Sequence, residues 1–403
     1  MTKRCLKTPL LLALTLVLLF PLLTAAWPGA RAAETVTIPK EEYERLKRYE
    51  LLDEVRQYVD AFFYEEPDEQ KMMDGAVQGL MGGLEDPYSF YYPQEAWEQL
   101  QEDDEGKYAG IGVQMLGSHE DSSVTITRVF RDTPAERAGI KKGDVFLTVE
   151  DIQVTTATMQ DAVNLMRGIP GEKVHIEIVR NGELIPFDLI KANIVVNRVE
   201  YKMLDDKVGY IILFEFAGDS SDAFKKAYQE LKSQGMKSLI FDLRDNPGGW
   251  VQDAEEIGEL FLDRKLLYYT EDRYGRRKEF QTGAGAEDMQ LTLLVNENSA
   301  SASEILSAAM QDYGRAKLVG VKTFGKGVIQ FVVPLSDQKS GFQLTNAQYF
   351  SPLGRKVHKE GITPDLVVEM PEELKDKFFD TGDLSDPQLA AAYEDLKGRL
   401  PKE

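Results

Sequence analysis

Thiol chemistry is almost missing from this chain. Of 403 residues a single one is cysteine, Cys5, and it precedes the apolar run near the N-terminus, not where a lipoprotein cysteine belongs. The rest of the chain therefore has no disulfide framework and no thiol nucleophile. Histidine is scarce too, with three copies. His119 is expected in a hairpin turn, His175 inside a strand and His358 late in the chain. None occurs in an HExxH and no Cys/His cluster exists, so a zinc hydrolase is disfavoured and neither metal nor cofactor is expected. A Ser-His-Asp triad would have to recruit His358. Basic charge is also short: 47 Lys and Arg against 68 Asp and Glu give a formal net charge of -21. With no basic cluster, such a surface repels phosphate backbones and argues against nucleic-acid binding. Asp380-Thr381-Gly382 spells the short aspartic-protease triplet, but once only, and that chemistry needs two carboxylates sharing a proton.

What is present divides the chain into two or three domains, as its length suggests. Residues 1–33 carry Lys3, Arg4 and Lys7, an apolar run over 10–26 and then Ala30-Arg31-Ala32. This is the pattern of a Sec-type signal peptide or, left uncut, of an N-terminal anchor. A true transmembrane helix is the competing reading, although the run is near the lower limit for spanning. Either way the remainder is expected outside the cytoplasm: periplasmic, on the cell surface or secreted. Residues 34–107 form an N-terminal helical region. Over 41–63, Tyr43, Leu46, Leu51, Val55, Tyr58, Val59, Phe62 and Phe63 mark an amphipathic helix whose stripe serves as an intrachain core or a homodimer face. A shorter glycine-rich helix is predicted over 72–84, an ordered turn over 86–91, and a solvated acidic linker over 102–105.

Short strands begin at residue 108. Gly110-Ile111-Gly112-Val113 is a glycine-rich turn entering a strand over 113–116. Strands over 124–129, 144–150 and 174–179 follow, with helices over 134–138 and 159–166 and a hairpin turn at Asn181-Gly182. This order, with Thr133-Pro134-Ala135-Glu136-Arg137-Ala138-Gly139-Ile140 and Gly143-Asp144, resembles a circularly permuted bacterial PDZ domain, bounded here at 108–193. The resemblance implies a groove that takes a peptide C-terminus as an added strand, its carboxylate held by backbone N–H groups around Ile111, Gly112 and Val113. Arg167, at the end of the groove helix, is either an aid to that carboxylate or a surface arginine.

Residues 194–370 read as a second compact domain, followed by an acidic tail over 371–403 with one helix near 387–396. A strand over 208–214, a helix over 222–231 and a strand over 238–243 make a right-handed β-α-β unit. Next comes Asn246-Pro247-Gly248-Gly249, where paired glycines either expose backbone N–H groups to a ligand or make an ordinary turn. A buried strand over 291–296 leads to Ser299-Ala300-Ser301-Ala302-Ser303-Glu304, and Ala302, Ile305, Leu306, Ala309 and Met310 have helical spacing. A serine hydroxyl thus sits at a helix N-terminus, where free N–H groups and the dipole suit developing negative charge. Ser301 and Glu304 also have capping-box spacing, so the serine is alternatively a plain helix cap. Lys326, between Gly325 and Gly327, is a candidate general base or a solvated lysine.

A lysine replaces histidine as base only if it is neutral. With a reference pKa of about 10.4, roughly one molecule in a thousand or fewer carries the free amine at pH 7 in water. Burial away from carboxylates has to lower that by about three units. Gln330 lies on the same strand face but about 13 Å away along a straight strand, so reaching Lys326 requires the Gly325 to Gly327 segment to bend.

Taken in order, Asn246-Pro247-Gly248-Gly249, residues 299–305, Gly325-Lys326-Gly327-Val328-Ile329-Gln330 and Gly361-Ile362-Thr363-Pro364-Asp365 resemble the carboxyl-terminal processing (tail-specific) peptidase family over residues 41–371. The resemblance implies an α+β multidomain protein with a crotonase-like ββα-superhelix peptidase domain whose access the PDZ domain gates. It implies Ser301 as nucleophile, Lys326 as general base and Gln330 as the group that orients the lysine. The N–H groups of Ala302 and Gly248 form the implied oxyanion hole, with Gly249 as alternative partner; Asp312, at a position sometimes implicated, is read as structural. The expected protein is an exported serine endopeptidase that takes apolar C-terminal tails of protein substrates. The rivals are an inactive binding scaffold on the same fold and a scaffold in which the PDZ domain alone matters.

Overall fold

The computed structural model describes residues 36–118, 121–375 and 377–399. The expected signal segment, Cys5 and His119 lie outside these. The chain divides into two units, one ending at Met73 and one beginning at Asp74. In the first, the helix expected over 41–63 is two helices, Lys40–Lys47 and Glu50–Phe62, broken at Arg48 and Tyr49. Neither has a buried residue, and Tyr43, Leu46, Leu51, Val55, Tyr58 and Phe62 are all exposed. Among the described residues no helix is long and apolar enough to cross a membrane.

Early in the second unit, strand Phe90–Tyr92 leads to helix Gln94–Glu105, which Gly106 ends at φ 65°. The acidic run expected as a solvated linker is the last turn of this helix, and it is engaged. Arg198 donates to the carbonyls of Asp103 (2.7 Å) and Asp104 (3.0 Å), Arg167 to the Asp103 carboxylate (2.7 Å), and Trp250 Nε1 to the Asp104 carboxylate. A helix C-terminus attracts cations, and four successive acidic side chains add to that attraction.

The PDZ region is a sheet in the order Val113–Gly117, Val124–Val129, Val145–Val149, Lys173–Arg180, Glu183–Ile190, with helices Pro134–Ala138 and Met159–Met166. Asn181 and Gly182 turn the last hairpin with positive φ at both positions, as a tight two-residue loop requires. Val113–Gly117 lies at the edge of this sheet.

The second domain is built on a six-stranded sheet in the order Val199–Met203, Val208–Leu213, Ser238–Asp242, Gln290–Val295, Lys317–Gly320, Leu366–Val367, parallel except for the first pair. Its central strands read as unbroken apolar runs because both faces are covered. Helices Ser220–Ser233, Val251–Glu259 and Ala302–Asp312 pack one face through Phe224, Tyr228, Ile257, Ile305 and Leu306. Helix Pro387–Arg399 covers the other, with Leu389, Ala392 and Leu396 against Tyr210, Ile240, Leu294 and Val319. The expected tail is therefore partly a structural layer of the domain. A second sheet centres on the long strand Gly341–Phe350, which pairs with Val328–Pro334 on one edge and with Phe90–Tyr92 and Leu266–Asp272 on the other. The expected α+β organisation, N-terminal helices followed by two sheet-containing domains, is the one observed.

Candidate active site

Strand Gln290–Val295 ends at a turn that Ser299 fastens: its hydroxyl donates to the Leu243 carbonyl (2.7 Å) and its N–H to the Asn296 carbonyl (2.9 Å). Two residues on, Ser301 is the N-cap of helix Ala302–Asp312 with φ 55° and ψ −116°, a conformation few non-glycine residues adopt. Such a backbone persists only when its surroundings over-determine it. Here they do. Ser301 N–H donates to Glu304 Oε2 (3.1 Å), and its carbonyl accepts from Tyr349 Oη (3.2 Å) and Glu304 N–H (2.8 Å). The capping box is formed, yet no full cap hydrogen bond holds the hydroxyl itself.

The Asn246-Pro247-Gly248-Gly249 turn is sewn to the same place. Asn246 is buried, and its carbonyl accepts from Ala300 N–H (3.1 Å) and Ser303 Oγ (3.0 Å). Gly248, at φ 98°, leaves no room for a side chain: a Cβ would stand 2.7 Å from both the Ala300 carbonyl and Ser301 Cβ. At Gly249 it would stand 2.0 Å from the Phe216 carbonyl oxygen. Of the expected oxyanion donors, Ala302 N–H and Gly249 N–H have no acceptor among the described residues, whereas Gly248 N–H donates to Asn246 Oδ1 (2.9 Å).

The lysine turn meets the serine turn through Glu304. This fully buried carboxylate accepts Thr323 Oγ1 (2.6 Å) and Gly325 N–H (2.7 Å) on Oε1. On Oε2 it accepts Lys326 N–H (2.8 Å) together with Ser301 N–H. One oxygen thus joins the main chains of Ser301 and Lys326. The Gly361 to Asp365 run steadies the lysine side, since Ile362 N–H donates to Thr323 Oγ1 (2.7 Å) and Thr323 N–H to the Ile362 carbonyl (3.1 Å). Gly327 is packed on the His358 backbone, 2.1 Å from where its Cβ would be.

The Lys326 side chain is half-buried. Its Nζ lies 4.9 Å from the ring centre of Tyr88 and, among the described residues, makes no hydrogen bond to Ser301 Oγ and no ion pair with a carboxylate. Burial pushes its pKa below the ordinary lysine value, against the carboxylates of Asp86 and Glu304, which pull it up. Burial likewise raises Glu304, opposed by its four hydrogen bonds. His358 is pushed down by burial and by Lys359 and Lys356, so it favours the neutral ring.

Gln330 is elsewhere. The strand's register shifts between Ile329 and Gln330, not in the 325–327 segment where a bend was required, and the amide donates to Thr345 Oγ1 (3.1 Å) and makes no bond to Lys326. Asp312 pairs with Arg355 (2.5 Å) and accepts Leu353 N–H (2.9 Å), a brace at the far end of the helix. An open cavity of about 550 Å³ lined by Gln311, Asp312, Arg355 and Lys356 is found there, and it contains neither Ser301 nor Lys326. In the PDZ region Gly110 ends one strand and Val113 begins another, while the carbonyls of Ile111 and Gly112 accept from Ala135 (2.9 Å) and Phe130 (3.0 Å). Arg167 is engaged away from them, bonded to Asp103 and stacked 4.6 Å from the Tyr108 ring centre.

The profile of Peptidase family S41 matches residues 207–368, that of a PDZ domain 125–180, and that of the activating protease CtpB N-terminal domain 26–96. A carboxyl-terminal-processing protease of Synechocystis is 36% identical over 330 residues, covering 80% of this chain and 76% of the relative. The chain belongs to the carboxyl-terminal processing serine peptidases. Carboxy-terminal processing protease CtpB of Bacillus subtilis is 30% identical over 368 residues, 90% of this chain and 73% of that one. A solved photosystem II D1 C-terminal processing protease aligns over 87% of this chain and all of its own at TM-score 0.57 and 25% identity. A Bacteroides fragilis structure described as a putative S41 protease, at TM-score 0.58 and 16% identity, shares the fold. The chain is thus a PDZ-containing serine-type peptidase with protein substrates.

Sequence reasoning missed two contributors to this peptidase site. Glu304 carries a capping-box spacing, which pointed to Ser301 but not to Lys326. The Asp86-Pro87-Tyr88-Ser89 turn reaches the lysine from 238 residues away in sequence, as the Tyr88–Lys326 contact shows, and no local pattern signals a pairing that long.

Proposed function

We propose that this peptidase cuts its substrates with a Ser301/Lys326 dyad. The observation that carries the reading is the single Glu304 oxygen accepting both Ser301 N–H and Lys326 N–H. In the reaction, neutral Lys326 takes the Ser301 Oγ proton as that oxygen attacks the scissile carbonyl carbon. The oxyanion is met by Ala302 N–H and a glycine N–H of the 248–249 pair; the Gly249 donor is unengaged, and Gly248 would have to share its bond with Asn246. The lysine returns its proton to the leaving amine as the C–N bond breaks, and water then hydrolyses the acyl-enzyme. Gln330 would orient the lysine only after leaving Thr345. Hydroxyl and amine share no hydrogen bond in this state, and catalytic hydrogen bonds often tighten only with substrate bound. Ser301→Ala and Lys326→Ala should each remove cleavage of a tail-bearing protein substrate by at least about 10³-fold with folding intact. Cleavage at the parent rate by either variant would refute the dyad.

The substrate feature we propose is an apolar C-terminal tail. Val113–Gly117 is an edge strand with free pairing capacity, and Val113, Met115 and Met159 flank it on the apolar side. Tail peptides ending in a free carboxylate should compete for cleavage, and their C-terminal amides should not. We further propose that the protein is exported, possessing an N-terminal segment of signal or anchor type, and that it is a homodimer through Leu51, Val55, Tyr58 and Phe62. Leu51→Glu with Val55→Glu should give a monomer by light scattering.

A further inference from the structure

The turn at residues 86–89 is built more rigidly than a connection needs. The Asp86 carboxylate accepts Tyr88 N–H (3.3 Å) and the Ser89 hydroxyl, which in turn accepts Thr345 N–H (3.0 Å). The Tyr88 carbonyl accepts Gln343 Nε2 (3.0 Å), and strand Phe90–Tyr92 pairs with 341–343. Further on, Trp97 fills the space that the missing side chain of Gly341 leaves. The product of this bracing is one outward feature: the Tyr88 ring held 4.9 Å from Lys326 Nζ. No other ring lies over that amine among the described residues.

We propose that Tyr88 is a positioning residue for proteolysis: its ring, delivered by the braced turn, shields the Lys326 amine from water and confines its direction. The inference rests on Lys326 being the general base. An aromatic face has two opposing effects on an amine. Excluding water favours the neutral form, while the ring quadrupole favours the cation by about 0.5–2 kcal/mol. The charged groups that act on the amine are Asp86 on the same turn and Glu304 on the serine helix; the segment packed over Gly327 carries His358, which burial, Lys359 and Lys356 push toward the neutral ring. Burial is the leading cause that lowers the lysine's affinity for protons, against two carboxylates that raise it, and the Tyr88 ring 4.9 Å away is part of what surrounds the amine; on this proposal its exclusion of water outweighs its quadrupole.

The test uses full-length Ser301→Ala protein labelled with ¹³C at lysine Cε, the Lys326 signal being assigned with Lys326→Arg. Tyr88→Ala should move the Lys326 titration midpoint up by about one pH unit, as expected for removing one wall of a buried site. Tyr88→Phe should leave it in place, and Tyr88→Leu, which preserves the apolar bulk, should move it in the same direction by less. In the active protein the acid limb of kcat/KM should follow, a roughly tenfold loss near neutral pH that Tyr88→Phe does not show. A midpoint that stays or falls in both Tyr88→Ala and Tyr88→Leu overturns the proposal. A midpoint that rises while the acid limb does not move overturns Lys326 as base and leaves the shielding intact.

Discussion

The serine turn and the lysine turn meet on one carboxylate yet are held differently. At Ser301 the backbone is fixed at φ 55° by bonds to both its N–H and its carbonyl, and the helix behind it is buried from Ala302 to Met310. At Lys326 the main chain is equally fixed, through Glu304 and through Gly325, whose carbonyl accepts Lys359 N–H (2.8 Å). Its side chain, by contrast, is met among the described residues by the Tyr88 ring and by the charges of two carboxylates, with no hydrogen bond to hold it. The fold thus sets the nucleophile's position outright and leaves the base to swing about a fixed anchor.

Removing the shared anchor should produce the largest effect. In Glu304→Gln the amide nitrogen would face N–H donors where an oxygen now accepts them, leaving buried donors unpaired. Each such donor costs about 1–3 kcal/mol, so a loss of roughly 2–5 kcal/mol in urea unfolding and a near-complete loss of cleavage are expected. If Glu304→Gln unfolds at the parent midpoint, the carboxylate is not the tie described here. Gly248→Ala disturbs the serine turn alone. Its Cβ would press on the Ala300 carbonyl and Ser301 Cβ at a positive φ, for about 1–3 kcal/mol. Because the damage lies at the nucleophile, kcat should fall while KM for a tail-bearing substrate stays within about twofold. A change confined to KM would place Gly248 on the substrate path instead.

Parts of this contrast were readable from sequence. Gly248, Gly249 and Gly327 stand where neighbouring atoms leave no room for a Cβ, Gly325 has φ 91°, and the apolar runs of the central strands are local signals. Arg167 shows the limit. Its position at the end of the groove helix is legible, but its partner Asp103 belongs to a helix 64 residues earlier. Acidic runs are usually solvated, and here Arg198, Trp250 and Arg167 converge on one. Gln330 shows a second limit: its strand face was legible, but the amide's partner is Thr345 across the strand pair, which is set by register. The same holds for helix Pro387–Arg399, whose polar content hides an apolar face of Leu389, Ala392 and Leu396.

The smallest predicted effect separates the two side chains by pH. Burial lowers the Lys326 pKa in the folded protein, so the unfolded chain holds that proton more tightly. What this group contributes to stability is present above the ordinary lysine value of about 10.4 and is lost as pH falls toward the lowered folded value. Lys326→Met removes the titration and retains apolar bulk. Its urea midpoint should exceed the parent's at pH 6 to 8, and the gap should close as pH approaches 10. Ser301→Ala changes no group that titrates in this range, so any shift it causes should be the same at every pH. A Lys326→Met gap that does not vary with pH would mean that the amine is as well solvated in the folded chain as in the unfolded one, and the asymmetry between the two turns would then lie in their backbones alone.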